Sequence, residues 1–487
     1  MSHAPALIVL LPLVSALLIP ILGARSLSVA VGLARLATLG ASFFSVAALR
    51  ESLLNGPWHY HMGGWSPPWG IEIVIDPLSG VVATLVSTMA FLGSFYSTPY
   101  LASWSRWRAG VFYGVYALLV AGLLGMTVTG DLFNLYVFLE ISSLAGYALL
   151  STGGSRAVVA TFRYLLVGTV AASFYLIGVG YLYATTGTLN MADTAARLTT
   201  LDSPVVVVAA CFIVIGLSIK AALFPLHGWL PDAYTYAPGP AIGFIAAVMA
   251  KVSAYALYRI LYFVFAADTA PGEPLLLLGW ASAIAVVAGS LMALAQSDVQ
   301  RMLAYSSVGQ MGYIIMGIAM GTPLALIGAV LHVVNHAVMK GCLFMAVNAV
   351  QWRVGAFRVR DFDGISRRFP VTMGAFTVAA LSMIGLPPTA GFFSKYYLVL
   401  AAIELGHVPF LLALLISSLV GAVYLFRVLE RAYLRSPEGD GELPLAESRE
   451  LPAPMLAPLV ILAASALALG VFNQWVVTVL LRPGLPF

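Results

Sequence analysis

The sequence predicts an all-α polytopic membrane protein with about fourteen transmembrane helices. Three observations carry that reading. Of the 487 residues, 61% are hydrophobic and only 9% are charged, whereas soluble domains are about one quarter charged. The apolar residues fall in runs of roughly 20, the length that crosses a bilayer as a helix. Aromatic residues are scattered along these runs, without the alternating ~10-residue segments of an outer-membrane barrel. The net charge of +4 implies no nucleic-acid partner, because the basic residues lie in short loops.

The first run, MSHAPALIVLLPLVSALLIP, lacks a basic n-region and a small-residue cleavage site, so it reads as a span near 5–22 and not as a cleaved signal peptide. Further runs, each bounded by Gly, Pro or charge, place helices near 27–49, 77–101, 111–129, 132–151, 157–184 and 204–224. Others follow near 240–265, 275–295, 301–320, 324–350, 371–401, 407–428 and 453–481. The two richest polar loops are 352–370 and 430–450, and residues 1–487 read as a single membrane domain. Cys211 and Cys342 lie in apolar segments outside any CxxC pattern and say nothing about redox compartment.

Arginine sets the orientation. With the N-terminus outside, the odd-numbered connections hold Arg25, Arg106, Arg108, Arg156, Arg301, the group from Arg353 to Arg368, and Arg427, Arg431, Arg435 and Arg449. The even-numbered ones hold Arg197, with Arg50 at a boundary. The positive-inside rule therefore places the odd connections in the cytoplasm and both termini outside the cell (inner) membrane.

Lysine behaves differently. The chain has four lysines against twenty arginines, and Lys220, Lys251, Lys340 and Lys395 all fall within or at the ends of hydrophobic runs. A lysine at a helix centre costs ~2.5–3.5 kcal/mol on insertion scales. An ammonium can give up its proton when buried, whereas a guanidinium practically cannot. This is the pattern a proton path through a membrane requires. The competing reading is snorkelling to the interface, which suits Lys395 near a proline break and Arg163 and Arg259 near helix ends.

Glu140 lies nine residues into its helix, in GDLFNLYVFLEISSLAGYALL. It reads either as a carboxylate that pairs a neighbouring cation or as a gate that tunes the proton affinity of a nearby lysine. In LHVVNHAVMKG, His332, His336 and Lys340 stand at i, i+4 and i+8 and form one helical stripe, rising about 6 Å per step. Two histidines at this spacing could bind zinc, but no glutamate lies between them and a lysine completes the stripe. A proton relay fits these groups better.

Two runs are interrupted by proline, at Pro225 in KAALFPLHGWLPDAY and at Pro387 and Pro388 in GLPPTAGFFSK. Breaks in corresponding apolar segments point to discontinuous helices at a transport site, with a packing kink as the plainer alternative. EISSLAGY (140–147) echoes SSVGQMGY (306–313) at an offset of 166, and Pro225 and Pro388 are similarly spaced. An internal repeat is therefore expected. No nucleotide loop, metal motif, haem ligand pair or catalytic triad appears, so no cofactor is expected and the driving force must come from an ion gradient or partner subunits.

The segments around Glu140, FPLHGWLPDAYTYAPGPAIGFIAAVMAKVSAYALYRI, DVQRMLAYSSVGQMGYIIMGI, HVVNHAVMKG and LPPTAGFFSKYYLV resemble antiporter-type membrane subunits. That family includes the proton-pumping subunits of respiratory complex I, the A and D subunits of Mrp-type cation/proton antiporters, and membrane-bound hydrogenase subunits. The resemblance covers roughly residues 75–430, and length and the wording around Glu140 look most like the Mrp D subunit.

The resemblance implies fourteen helices with two inverted five-helix repeats, 111–265 and 275–428, between N-terminal helices in 1–101 and a last helix in 453–481. It also implies a polar axis of Glu140, Lys220, Lys251, His332, His336, Lys340 and Lys395 along the membrane plane. The function expected from it is proton translocation in a multisubunit Na⁺(K⁺)/H⁺ antiporter, with other membrane subunits as partners and no enzymatic activity of its own. A proton-pumping subunit of a redox complex is the alternative. Lysine at 395, where the middle complex I pump has glutamate, argues against that pump but not against its smallest relative.

The orientation is directly testable. In a variant lacking Cys211 and Cys342, a cysteine placed at Gly439 should resist a membrane-impermeant thiol reagent added to intact cells. Ready labelling there would invert the topology.

Overall fold

Inside a bilayer no water satisfies the backbone, so a spanning chain must close its hydrogen bonds within helices. The computed structural model describes residues 3–24, 26–201, 203–265, 273–436 and 450–486. Arg25 and most of loop 430–450, with Gly439 and Arg449, lie outside the described residues. Among those described, twelve helices are long and apolar enough to cross a membrane, and two shorter apolar helices complete the expected fourteen.

In chain order the spans are α1 (Ala4–Gly23), α2 (Leu27–Asn55), α3 (Pro77–Tyr96), α4 (Arg106–Val128), α5 (Leu132–Ser151), α6 (Ser155–Thr186) and α7 (Pro204–Lys220). They continue as α8 (Gly239–Arg259), α9 (Glu273–Leu294), α10 (Val299–Met320), α11 (Pro323–Val354), α12 (Pro370–Ile384), α13 (Val408–Leu434) and α14 (Ala453–Val471). The two short spans, α7 and α12, each resume after a break as a second limb, Trp229–Thr235 and Ala390–Glu404. The run expected as one helix over 371–401 is thus two. The run over 453–481 also divides, because α14 stops at Val471 and short turns of helix follow from Asn473.

The connections gather at two opposite ends. At one end Gly130 donates to the Glu72 carbonyl (2.9 Å), and Leu132 to that of Leu189 (2.8 Å), joining the second, fourth and sixth connections. At the other end Val299 donates to Phe357 (3.0 Å) and Val359 to Ser297 (2.8 Å), joining the ninth and eleventh. The second connection also folds into a hairpin that hydropathy does not reveal. Trp58–His61 pairs antiparallel with Glu72–Ile75, with His61 opposite Glu72. Glu72 is buried there, taking His59 Nδ1 at 2.8 Å and Asn190 Nδ2 at 2.9 Å.

Helices α8, α10 and α11 are buried along nearly their whole length, whereas α1, α2, α6 and α13 keep Leu17, Leu36, Phe162 and Leu419 exposed on the outer face. Lipid tails are as apolar as leucine, so such helices are held by close packing more than by any hydrophobic drive. The α9–α10 crossing illustrates this. A Cβ on Gly289 would lie 2.4 Å from the Gly309 nitrogen, so only glycine lets the two backbones touch.

Arg259 does not snorkel, contrary to the expectation from its place near a helix end. Its side chain is 12% exposed and pairs with Asp76, the N-cap of the neighbouring helix α3. Its guanidinium also stacks on Phe263 at 4.0 Å. Removing one member of a buried pair strands the other charge. Arg259→Gln should therefore destabilise the detergent-solubilised chain by about 3 kcal/mol, read as a lowered unfolding temperature. Arg435→Gln, at an exposed pair with Glu430, should leave that temperature unchanged.

Candidate functional site

The two helix breaks organise the buried polar groups. In the first, α7 ends at Lys220 with a six-to-one bond from Leu223 N to the Ser218 carbonyl and a five-to-two bond from Ala222 N to Ile219, both 3.0 Å. This is a Schellman closure, and its left-handed position is taken by Ala222 at φ 56°, where glycine is usual. The Trp229 indole caps the Ile219 carbonyl at 2.9 Å. Pro225 then occupies the stretch between the limbs, where a missing N–H costs no helical bond. In the second break Gly385 takes the left-handed position at φ 95°, followed by Pro387 and Pro388.

Lys220 is the last residue of α7 and is buried nonetheless. Its Nζ donates to Ser143 Oγ at 2.7 Å and to the Tyr147 hydroxyl at 3.5 Å, both on α5. Glu140 sits one turn before Ser143 on the same face of α5. No ion pair joins Glu140 to Lys220, and Glu140 Oε1 is buried without a hydrogen-bond partner. Of the two readings of Glu140, direct pairing does not extend to Lys220, whose ammonium meets a hydroxyl instead. A cavity of about 10 Å³, lined in part by Ser142, Ser143, Lys220 and Ser253, adjoins the ammonium. That is close to the space one water needs.

Lys395 is likewise buried, not snorkelling. Its Nζ donates to the carbonyls of Met383 (2.8 Å) and Ile384 (3.1 Å), which the break leaves free at the end of α12, and to Ser418 Oγ (3.2 Å). A helix C-terminus favours a cation. The ammonium lies 5.1 Å from the centre of the Tyr313 ring. Tyr313 stacks on His332 at 5.4 Å, and His332 on His336 at 5.7 Å with ring planes 11° apart.

The stripe on α11 is wholly buried but not uniformly bonded. His332 is held at both nitrogens, by Ser394 Oγ and Gln310 Oε1, each 2.9 Å away. Both nitrogens of His336 lack a partner. Lys340 turns towards α10, donating to the Leu303 carbonyl at 2.7 Å and to Ser306 Oγ. Lys251, on α8 packed along α11, donates to the Ala246 carbonyl at 2.5 Å. No hydrogen bond links it to the histidines. With His332 committed on both sides, the two rings are not a ready ligand pair for zinc.

The structure therefore gathers His332, Tyr313 and Lys395 into one column and ties Lys220 to α5. Lys251 and His336 make no hydrogen bond to either group, and His336 reaches the column only by stacking on His332. Sequence reasoning passes over Ser143, Tyr147, Ser306, Gln310, Tyr313, Ser394 and Ser418. The echoed octapeptides contain a usable signal, since they align Tyr147 with Tyr313. Each tyrosine lies beside the lysine of its own half, at 5.9 and 5.1 Å from ring centre to Nζ.

The two histidines should respond differently to replacement. His332→Ala leaves Gln310 Oε1 unpartnered, while Ser394 keeps its bond to the Gly391 carbonyl, and should cost about 1–3 kcal/mol, the penalty of an orphaned buried group. His336→Phe, which keeps a ring and removes two unsatisfied nitrogens, should be near neutral. Thermal unfolding of the purified chain separates the two.

Residues 129–421 match the family model described as NADH:quinone oxidoreductase/Mrp antiporter, transmembrane. The chain is 53% identical to the NADH-quinone oxidoreductase subunit N of Desulforudis audaxviator (strain MP104C), covering 100% of this chain and 99% of that one. It is 31% identical to the D subunit of the Na(+)/H(+) antiporter of Bacillus subtilis (strain 168), over 85% of this chain and 83% of the relative. A protein chain in the solved structure of the membrane-bound sulfane sulfur reductase, an archaeal respiratory membrane complex, superposes with a TM-score of 0.91 at 31% identity, covering 99% and 97% of the two chains.

Proposed function

The chain belongs to the NADH:quinone oxidoreductase/Mrp antiporter transmembrane family, and on that premise we propose that it is a proton-translocating membrane subunit of a redox-driven complex. One observation carries the choice: full-length identity of 53% to an NADH-quinone oxidoreductase subunit N, against 31% to the D subunit of an antiporter. This favours the redox alternative over the Mrp antiporter reading that length and the wording around Glu140 suggest. The antiporter reading stays second, supported by the likeness to that D subunit.

In this reading the subunit sits in the cell membrane beside other membrane subunits, with both termini outside. Its two five-helix units, 111–265 and 275–428, form an inverted repeat. The paired positions of Tyr147 and Tyr313 support that division. So do the bridges Asp131–Asn190 and Asp298–Arg358, which recur at opposite ends of the bundle. Protons pass among Lys220, Lys251, the α11 stripe and Lys395, with water completing the gaps. Glu140, with a free carboxylate oxygen, biases the charge on Lys220. Like charges repel strongly where the dielectric is low, so protonating one lysine raises the cost of protonating the next. That repulsion couples the steps and can couple this subunit to its neighbour. Sodium, which seeks several oxygen ligands, has no comparable cage along the axis among the described residues.

The test uses inverted membrane vesicles containing the assembled complex. An electron donor with a quinone acceptor should generate a pH gradient, and a Na⁺ or K⁺ pulse without redox turnover should not. Lys220→Ala should lower the redox-driven gradient by slowing proton transfer through this subunit about 10²-fold, the size of a lost proton-transfer group. Glu140→Gln should lower it less, and Glu140→Asp should restore part of the loss. A cation-driven gradient from the same complex would return the assignment to the antiporter, and normal gradients in both variants would remove the two residues from the path.

A further inference from the structure

One pocket outside the polar axis has the composition of a ligand site. Three arginines, Arg156, Arg163 and Arg301, and one carboxylate, Asp232, line an open recess of about 520 Å³ with Ser155 and Tyr236. It forms where the first turns of α6 and α10 meet the second limb of α7, at the end of the bundle that carries the arginine-rich connections. Asp232 is spent on its neighbours, taking Arg163 at 3.1 Å and Arg301 at 3.2 Å. These two contacts fix both guanidiniums at the rim. Arg156 has no hydrogen-bond or ion-pair partner among the described residues. Three guanidiniums against one carboxylate leave the recess strongly cationic.

The wall below it is apolar. Leu166, Val167 and Val170, at i+3, i+4 and i+7 from Arg163, continue its face of α6 and are exposed. A polar cationic recess above an outward apolar strip matches a molecule with an anionic head and hydrocarbon tails. Guanidinium forks fit phosphate oxygens two at a time, and the first-turn amides of α6 add their partial positive charge. Basic pockets between transmembrane helices on the cytoplasmic side are a known setting for anionic headgroups.

We propose that this recess binds the phosphate of an anionic phospholipid, with its acyl chains lying along α6. Arg156 is the group that the lipid supplies with a partner, while Arg163 and Arg301 are held in place by Asp232. The site would fasten an annular lipid beside the broken helix that carries Lys220, independently of which complex holds the subunit.

The experiment is native mass spectrometry of the full chain, purified in mild detergent, stripped of lipid and then offered phosphatidylglycerol, cardiolipin, phosphatidylcholine or inorganic phosphate. The anionic lipids should be retained in preference to phosphatidylcholine, and millimolar inorganic phosphate should not displace them. Arg156→Gln breaks no contact within the fold and should leave thermal unfolding of the lipid-free chain unchanged, yet weaken retention about 5-fold. Arg156→Lys should recover part of it. Equal retention by Arg156→Gln, or equal retention of phosphatidylcholine, would overturn the proposal. Displacement by inorganic phosphate would overturn it in favour of a free-phosphate site. Crosslinking of a cysteine at Ser155 to a neighbouring protein in the intact complex, with no lipid bound, would overturn it in favour of a subunit contact.

Discussion

An ammonium group inside a membrane must trade its water for oxygen atoms of the protein, and the interior of this bundle is arranged around four such trades. Lys220 takes a serine hydroxyl, Lys251 and Lys340 take backbone carbonyls, and Lys395 takes two carbonyls at the end of a broken helix. Among the described residues, none of the four meets a carboxylate. Neutral oxygen ligands satisfy either protonation state of a lysine more evenly than a fixed anion would, because a close anion strongly favours the charged form. The breaks in α7 and α12 follow from this need. A continuous helix consumes its own carbonyls, whereas an interrupted one releases its last few.

The two halves of the chain meet the same need with different means. Tyr147 and Tyr313 occupy equivalent positions in the echoed octapeptides and flank Lys220 and Lys395 respectively. Yet Lys220 ends the first limb and reaches sideways to α5, whereas Lys395 stands on the second limb and reaches back to cap the first. The left-handed residue of the first break is alanine and that of the second is glycine. A non-glycine residue in that region costs on the order of 1 kcal/mol. The first break is thus the more strained of the two, beside the lysine that also adjoins a small cavity.

Hydrophobic run length is enough to place nearly all the spans, because a bilayer imposes a minimum length of apolar helix that no tertiary contact can override. The lysines stand out for a similar reason: in a chain this apolar, each buried charge is conspicuous. What escapes reading is short or distant. Ser143, Ser306, Ser394 and Ser418 look like the small residues of any membrane helix crossing, and nothing in their neighbourhoods marks them as lysine or histidine ligands. Arg259 reads as snorkelling because its partner, Asp76, lies 183 residues away. Charge draws the eye to Glu140 on α5, whereas the fold places Ser143, one turn further along, at the Lys220 ammonium. The Trp58–Ile75 hairpin is hidden because its strands are only four residues each.

The central claim is that buried lysines carry protons, not merely that they hold helices together. Lys251 offers the cleanest examination, since its hydrogen bond among the described residues is to a carbonyl of its own helix and methionine fills nearly the same space. On the proposed redox reading, the decisive measurement is the number of protons moved per electron pair by the intact complex bearing Lys251→Met, in sealed vesicles and beside the unaltered complex. A proton-carrying role predicts a lower ratio with assembly retained, because the series of proton carriers is cut. An unchanged ratio in a fully assembled complex would contradict it.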